Sequence, residues 1–234
     1  MKGLQELQAR IIECRRCPRL VEWREKVALE KTRRFSDWAY WGKPVPGFGD
    51  PQARLLVIGL APAAHGANRT GRMFTGDRSG DWLYRALFKA GFANQSTSEH
   101  RTDGLQLQDC YITALCRCAP PANKPTADEF SNCREYLEAE LNYFLHFWET
   151  SNKKGAILCL GQLSYQHTLR ILKTLKMNLP NPTIKFRHGL DLEITADIHL
   201  YTSYHPSQQN TFTGRLTEEM LDGVFEKIRA QIGK

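Results

Sequence analysis

The sequence of 234 residues lacks any apolar run approaching the roughly 18 to 20 residues needed to cross a bilayer. Its first residues, MKGLQELQARIIECRRC, are charged and amphipathic and lack the uninterrupted apolar core of a signal peptide. We therefore expect a cytoplasmic protein that does not bind membranes. Internal repeats, low-complexity tracts and interdomain linkers are also missing, so we expect one domain over residues 1–234 and a monomer.

Acidic residues are in deficit. The 25 Asp and Glu residues stand against 32 Lys and Arg residues, which gives a formal charge of +7. A surface of this sign attracts a polyanion and favours nucleic acid as the partner. The segment GLAPAAHG, which begins at Gly59, lacks the G-K-[ST] ending that supplies a phosphate-binding lysine and a metal ligand. Nucleotide hydrolysis of the P-loop type is therefore disfavoured.

Apolar runs and helical patterns alternate along the chain. Near-continuous apolar runs of the kind found in buried parallel strands occupy residues 53–59, 110–115, 156–160 and 199–204. Helical spacing is found over residues 4–13, 80–90, 126–148, 162–175 and 217–232, and Thr126 with Glu129 has the spacing of a capping box. This order predicts an α/β fold, a three-layer α/β/α sandwich around a central, mostly parallel sheet of about four strands.

Two further stretches are less regular. Residues 184–194 predict a short β segment, and residues 33–50, rich in aromatic residues, proline and glycine, predict an irregular loop. In an open parallel sheet the ligand binds beyond the carboxyl ends of the strands. The segments that follow strands, residues 60–80, 116–125 and 205–215, are therefore the expected site.

Seven cysteines in a reducing compartment indicate metal binding or burial rather than a disulfide framework. A C-x-x-C pair and two later cysteines are able to surround one metal centre; these four are Cys14, Cys17, Cys118 and Cys133. The alternative is that they are buried thiols, the role that we assign to Cys110 and Cys159 inside apolar runs.

Spacing alone leaves the ligand set and the metal open. The sequence C-R-C offers Cys116 and Cys118 as alternative ligands. Zinc and an iron-sulfur cluster both accept four thiolates, and the proline after Cys17 is only a weak hint of a cluster.

Five segments carry a resemblance to a known family. They are GLAPAAHGANRTGRMFTGD at 59–77, RCAPPANKPT at 117–126, HPSQQNTFTGRLT at 205–217, CRRCPRL at 14–20 and NC at 132–133. With these segments the chain resembles the family-five (type B) uracil-DNA glycosylases over nearly its whole length. The resemblance implies hydrolytic excision of uracil from DNA, which leaves an abasic site. It also implies a 4Fe-4S cluster held by Cys14, Cys17, Cys118 and Cys133.

The sequence departs from other branches of the wider superfamily at two places. Those branches commonly carry Asp or Asn in the first motif to handle the attacking water, whereas this chain has Ala61, Pro62, Ala63 and Ala64. They also read uracil with an Asn where this chain has Ala114. We therefore expect hypoxanthine, xanthine and other deaminated bases to be substrates as well.

Base excision needs groups that stabilise a departing base anion and a cation-like sugar. His205 directly follows a strand, where its imidazole is able to donate a hydrogen bond to uracil O2. Asp77 is the nearest carboxylate to the first motif, and we expect it to position water or stabilise the oxocarbenium ion. Its alternative role is to cap the helix over residues 80–90.

The remaining expected site residues bind either the substrate base or the surrounding DNA. The expected substrate-binding residues, among which the resemblance implies that Phe74 stacks on the flipped base, are Gly59, Ala61, Pro62, Ala63, Phe74 and Asn123. Asn123 offers a donor and an acceptor for a base edge, with a turn-forming role as its alternative.

The segment 208–215 is expected to enter the minor groove and fill the vacated base stack. The expected DNA-binding residues are Gln208, Asn210, Phe212 and Arg215 in this segment, with Arg69, Arg72, Arg78 and Lys124 on phosphates.

Two rival functions remain at this point. The cysteines alone fit an electron carrier or redox sensor, but such a protein has no need of the 205–217 motif. The missing first-motif carboxylate fits a non-catalytic iron-sulfur or zinc DNA-binding protein, which an excision assay would separate from a glycosylase.

Overall fold

The computed structural model describes residues 2–177, 179 and 184–233. Its centre is a six-stranded sheet in the order β1-β3-β2-β4-β6-β5. The strands are β1 (Phe48–Gly49), β2 (Leu55–Gly59), β3 (Cys110–Ala114), β4 (Gly155–Leu160), β5 (Asp191–Thr195) and β6 (Ile198–Ser203). The inner four, β3, β2, β4 and β6, are parallel, and β1 and β5 pair antiparallel at the two edges.

Eight helices accompany these strands in the described chain. They are α1 (Lys2–Ile12), α2 (Pro18–Glu30), α3 (Ala67–Thr70), α4 (Arg78–Lys89), α5 (Ala127–Thr150), α6 (Gln162–Thr174), α7 (Gln208–Phe212) and α8 (Glu218–Ile232). Helices α4 and α8 pack on one face of the sheet, and α1, α5 and α6 pack on the other. Successive strand residues point to opposite faces, so both sides of the inner strands are buried.

The predicted three-layer sandwich is confirmed, but the sheet has six strands instead of about four. The four apolar runs are the four parallel strands, and the β segment expected around 184–194 is confirmed over Asp191–Thr195 only. The short β1 lies within the stretch 33–50, which is otherwise irregular apart from a 3-10 turn at Arg33–Phe35. A strand of two residues leaves no periodicity to detect.

Helix α2 was missed, and it lies next to the C-x-x-C pair. Pro18 occupies its first turn, where a missing backbone N–H costs nothing. Leu20, Val21 and Val27 form its buried side together with Arg24. The helical signal was obscured because a buried arginine interrupts the apolar pattern.

The predicted capping box at the start of α5 is confirmed. The Glu129 backbone N–H donates to the Thr126 hydroxyl, and the Thr126 N–H donates to the Glu129 carboxylate at 2.7 Å. The loop that follows β3 therefore ends at a fixed point. Within the described residues, none of the helices is long and apolar enough to span a bilayer.

Candidate active site

A cleft of about 620 Å³ opens where the parallel strands end. Segments following β2, β3 and β6 line it, as the strand order requires. Its lining residues include Ala61, Pro62, Ala63, Phe74, Asp77, Ala114, Asn123, Lys124, His205 and Gln208. The structure thus brings the three predicted strand-end segments together in one place.

Phe74 and His205 form an aromatic wall of this cleft. Their ring centroids lie 5.8 Å apart with the ring planes inclined by 30°. The Phe74 ring fits because residue 59 is glycine: a Cβ there would lie 2.8 Å from the ring carbon Cζ. Gly59 therefore lies beneath Phe74, rather than lining the cleft as a contact for the base.

The His205 imidazole is neutral at physiological pH. Burial lowers the pKa of His205 to about 4. Its backbone is fixed by Asn210, whose side-chain amide donates to the His205 carbonyl at 2.8 Å. The ring is therefore able to act as a hydrogen-bond donor without carrying a positive charge.

Asp77 is the N-cap of α4 and also lines the cleft. Its Oδ1 accepts a hydrogen bond from the Gly80 N–H at 3.0 Å. Its Oδ2 lies against Gly66, where an added Cβ would come within 2.0 Å of that oxygen. Only glycine at position 66 admits this carboxylate. The two roles weighed for Asp77 are compatible in position, because the residue that caps the helix also lines the cleft.

The environment of Asp77 disfavours its charged form. Burial raises the pKa of Asp77, and nearby Asp81 adds to the rise. The N–H groups of Gly80 and Ser79 and the charge of Arg69 act in the opposite direction but do not outweigh burial. A carboxylate held in the fold at such a cost is typical of functional sites.

The first motif presents a plain apolar surface to the cleft. Ala61, Pro62 and Ala63 line it, and so does Ala114 at the end of β3. The opposite rim is the loop after β3, which carries Asn123 and Lys124, both exposed. Asn123 is the polar side chain of this loop that offers both a donor and an acceptor to the cleft.

Two of the arginines expected on DNA phosphates are buried instead. The guanidinium of Arg72 forms a forked ion pair with Asp103 at 2.7 and 2.8 Å. The guanidinium carbon of Arg69 lies 3.9 Å from the ring centroid of Phe35 and 4.0 Å from that of Trp38. Its N–H groups donate to backbone carbonyls. Neither guanidinium is therefore exposed to bind a DNA phosphate, and the prediction for these two residues is wrong. The sequence of the first motif does not show which of its arginines are buried.

The segment 208–215 begins as the short helix α7 rather than as a loop. Gln208 lines the cleft. Phe212 is 68% exposed and lies 4.4 Å beneath the guanidinium of Arg78. Arg215 is exposed and stacks over the ring of Tyr204 at 4.6 Å. Phe212 and Arg215 are thus at the surface beside the cleft, whereas the Asn210 amide is turned inward to His205.

Four cysteines line a second, small cavity between the N-terminal segment and the start of α5. They are Cys14, Cys17, Cys118 and Cys133. Among the described residues, no three metal-ligating side chains are placed to hold a single ion. Cys116 does not line this cavity. The neighbouring Cys116 lowers the pKa of Cys133 to about 7.

Two buried arginines lie beside the cysteines. Arg24 donates to the Cys118 sulfur at 2.9 Å, and Arg117 lines the cavity while pairing with the fully buried Glu140. The Nε of Arg24 and the Nε and Nη1 of Arg117 are buried without a partner among the described residues. Unpaired buried donors are costly unless a further acceptor is bound there. Sequence reasoning missed both arginines, although each lies within ten residues of a cysteine pair.

The fold and this cleft define a class: a doubly wound α/β protein with its site at the carboxyl edge of the sheet. The sequence model of the uracil DNA glycosylase superfamily matches residues 46–229. This chain belongs to that superfamily.

Similar proteins cover nearly the whole chain. A type-5 uracil-DNA glycosylase of Mycobacterium leprae is 51% identical over 99% of this chain and 96% of its own length. The type-5 enzyme of Thermus thermophilus is 46% identical over 94% of each chain. A type-4 uracil-DNA glycosylase of Archaeoglobus fulgidus is 26% identical over 100% of this chain and 96% of its own. The resemblance to the family-five branch is thereby confirmed.

The raised pKa of Asp77 predicts a stability trade-off. The folded pKa is above the unfolded one, so ionised Asp77 destabilises the fold above that pKa and the effect disappears as pH falls through it. We expect Asp77→Asn, which keeps a capping side chain, to raise the unfolding midpoint at neutral pH by on the order of a few degrees. The gain should shrink in acid, as measured by thermal unfolding over a pH series.

Asp222 supplies a control of opposite sign. Burial alone would raise the pKa of Asp222, but hydrogen bonds from Arg85 and Lys89 outweigh it and hold the pKa below its ordinary value. Asp222→Asn should therefore lower the midpoint at neutral pH. If Asp77→Asn also lowered it, the ionised Asp77 side chain would stabilise the fold, and the expected cost of its charge would be absent.

Proposed function

We propose that this chain is a DNA repair glycosylase that flips a deaminated base out of DNA and hydrolyses its N-glycosidic bond, leaving an abasic site. One observation carries the proposal: the strand-end cleft places an aromatic wall, a neutral imidazole and a cap-held carboxylate around one space. A base inside a duplex is inaccessible to these groups, so it must enter the cleft by flipping. The superfamily and the type-5 relatives support uracil as the base.

Recognition begins on the walls of the cleft. Phe74 stacks on the base, and the amide of Asn123 pairs with its edge through one donor and one acceptor. Ala61, Ala63 and Ala114 add no polar group that would reject a different base. The cleft of about 620 Å³ also has room beyond a pyrimidine. Hypoxanthine and xanthine are therefore further substrates in this proposal.

His205 stabilises the departing base. As the bond between the base nitrogen and C1′ breaks, its electron pair leaves with the base, and negative charge develops on the base oxygens. A neutral imidazole that donates a hydrogen bond to O2 lowers this barrier, because the half-buried ring is already held against Phe74 before the base enters. The lowered pKa keeps the ring neutral, so it does not neutralise Asp77 by pairing with it as a cation.

Asp77 serves the sugar. Asp77 lines the cleft, where the negative charge of its carboxylate stabilises the oxocarbenium ion at C1′. Water then adds its oxygen to C1′, and its proton is lost to the carboxylate or the solvent. This placement supplies the carboxylate that the first motif lacks.

DNA is held around the cleft by exposed groups. Phe212 and Arg215 occupy the vacated stack in the minor groove, with Gln208 at the cleft mouth. Arg78 and Lys124 are exposed beside the cleft and bind phosphates. The charge of +7 supports a salt-sensitive affinity for DNA.

The cysteine cavity fits a 4Fe-4S cluster held by Cys14, Cys17, Cys118 and Cys133. Four thiols around one cavity form a donor set of the kind that an iron-sulfur cluster takes. The unpaired N–H groups of Arg24 and Arg117 offer hydrogen bonds to its sulfur atoms and offset its negative charge. When bound, the cluster supplies structure by joining the N-terminal segment to the loop after β3 and to α5.

The function is tested by excision. Duplexes carrying uracil, hypoxanthine, xanthine or no lesion are incubated with excess protein, and abasic sites are then cleaved with alkali. We expect cleavage at uracil and slower cleavage at the two purines. DNA binding without cleavage at any base would instead support a non-catalytic DNA-binding protein.

Two substitutions test the division of labour. His205→Ala should slow single-turnover excision of every base by about 100-fold, the scale for one preoriented donor. Asp77→Asn should lower the same rate while leaving the Kd for DNA nearly unchanged, because it keeps the shape and removes the charge. Asp222→Asn serves as the control and should retain the wild-type rate. A wild-type rate in folded Asp77→Asn protein would restrict Asp77 to helix capping.

The cluster makes a separate prediction. The purified protein should be brown, absorb broadly at about 400 nm and contain iron. Cys118→Ser should lose iron and unfold at lower temperature, whereas the neighbouring Cys116→Ser should retain iron. Stoichiometric zinc without iron in anaerobically prepared protein would contradict the cluster.

A further inference from the structure

The loop that carries Asn123 is held in a strained conformation. Ala122 and Asn123 both have left-handed backbone angles, with φ of 53° and 55°. This conformation is uncommon for residues other than glycine, asparagine adopting it more readily than alanine, and it persists where surrounding structure supports it. Two such residues in succession at the rim of the cleft therefore require an external support.

Arg19 supplies that support from α2. Its Nη2 donates to the Lys124 carbonyl at 3.1 Å, directly after Asn123. The same guanidinium forms a fork with the Glu129 carboxylate, with distances of 2.8 and 2.7 Å. Glu129 in turn accepts the Thr126 N–H in the capping box. One side chain thus fixes the loop just beyond Asn123 and again where the loop enters α5.

Arg19 is close to the cysteines but does not line the cleft. It follows Cys17 and Pro18 in the first turn of α2. The cleft is lined by residues of the first motif, of the loop after β3 and of the last motif, and Arg19 is not among them. Any influence of Arg19 on the base must therefore pass through the loop that it holds.

We propose that Arg19 is a positioning residue for base recognition: it holds Asn123 in the left-handed conformation that presents its amide to the flipped base. This inference rests on the proposed glycosylase function. It gives α2 a role beyond supporting the cysteines, because the helix capped by Cys17 also holds the loop at the edge of the substrate cleft. Lysine cannot replace Arg19 fully, since it lacks the fork that reaches a carboxylate and a carbonyl together.

A double-mutant cycle on the uracil duplex tests the proposal. Single-turnover excision rates and DNA Kd values are measured for wild type, Arg19→Gln, Asn123→Ala and the double variant. We expect Arg19→Gln to lower the rate by about ten-fold with an unchanged Kd, within the range for members of one hydrogen-bond network. In the Asn123→Ala background the same change should have no further effect.

Arg134 provides the matched control. Its side chain is 43% exposed, as is that of Arg19, and it pairs with Glu138 on the surface of α5. Arg134→Gln should leave the rate at the wild-type value. Arg19→Lys should give an intermediate loss with wild-type iron content, and it replaces Arg19→Gln in the cycle if the glutamine variant loses iron or does not fold.

Each outcome decides between distinct statements. Equal effects of Arg19→Gln in both backgrounds would show that Arg19 acts independently of Asn123 and would overturn the proposal, as would an Asn123→Ala protein with the wild-type rate. In either case excision by the wild-type protein leaves the proposed function intact. Absence of excision by the wild-type protein would instead remove the function itself.

Discussion

The buried ion pair between Arg117 and Glu140 joins the main parts of this molecule. Glu140 lies on α5 and is fully buried, where it accepts hydrogen bonds from Thr113 of β3 and from Arg117. Arg117 lines the cysteine cavity. Removal of one partner from such a pair leaves an uncompensated buried charge, at a cost of about 3 to 5 kcal/mol. The cysteine cavity, the second parallel strand and the longest helix therefore depend on one another through a single electrostatic contact.

Two glycines shape the cleft at the carboxyl edge of the sheet by leaving room for neighbouring side chains. Gly59 leaves room for Phe74, and Gly66 leaves room for the Asp77 carboxylate. A side chain at either glycine would displace a group that the proposed chemistry needs. The first motif thus contributes shape to the cleft, and the carboxylate that we propose as reactive comes from the N-terminus of the next long helix.

Much of this arrangement was predictable from the sequence, because strong local signals coincide with it. The apolar runs gave the parallel strands, and Thr126 with Glu129 gave the start of α5. The burial of individual arginines was not predictable. Arg69 and Arg72 lie in the first motif, where we expected them to bind phosphates, yet aromatic rings enclose Arg69 and Asp103 pairs with Arg72. Helix α2 was missed because Arg24 interrupts its apolar side, and the cavity that distinguishes Cys118 from Cys116 forms only when distant segments meet.

The two edge strands determine how this sheet meets its surroundings. One edge, β1, has only two residues, and the other, β5, alternates buried residues with exposed Asp191, Glu193 and Thr195. Short or charged edges are poor templates for pairing with a strand of another chain. Copies of this chain that meet at high concentration therefore find no long, uncharged strand edge at which one sheet could extend another.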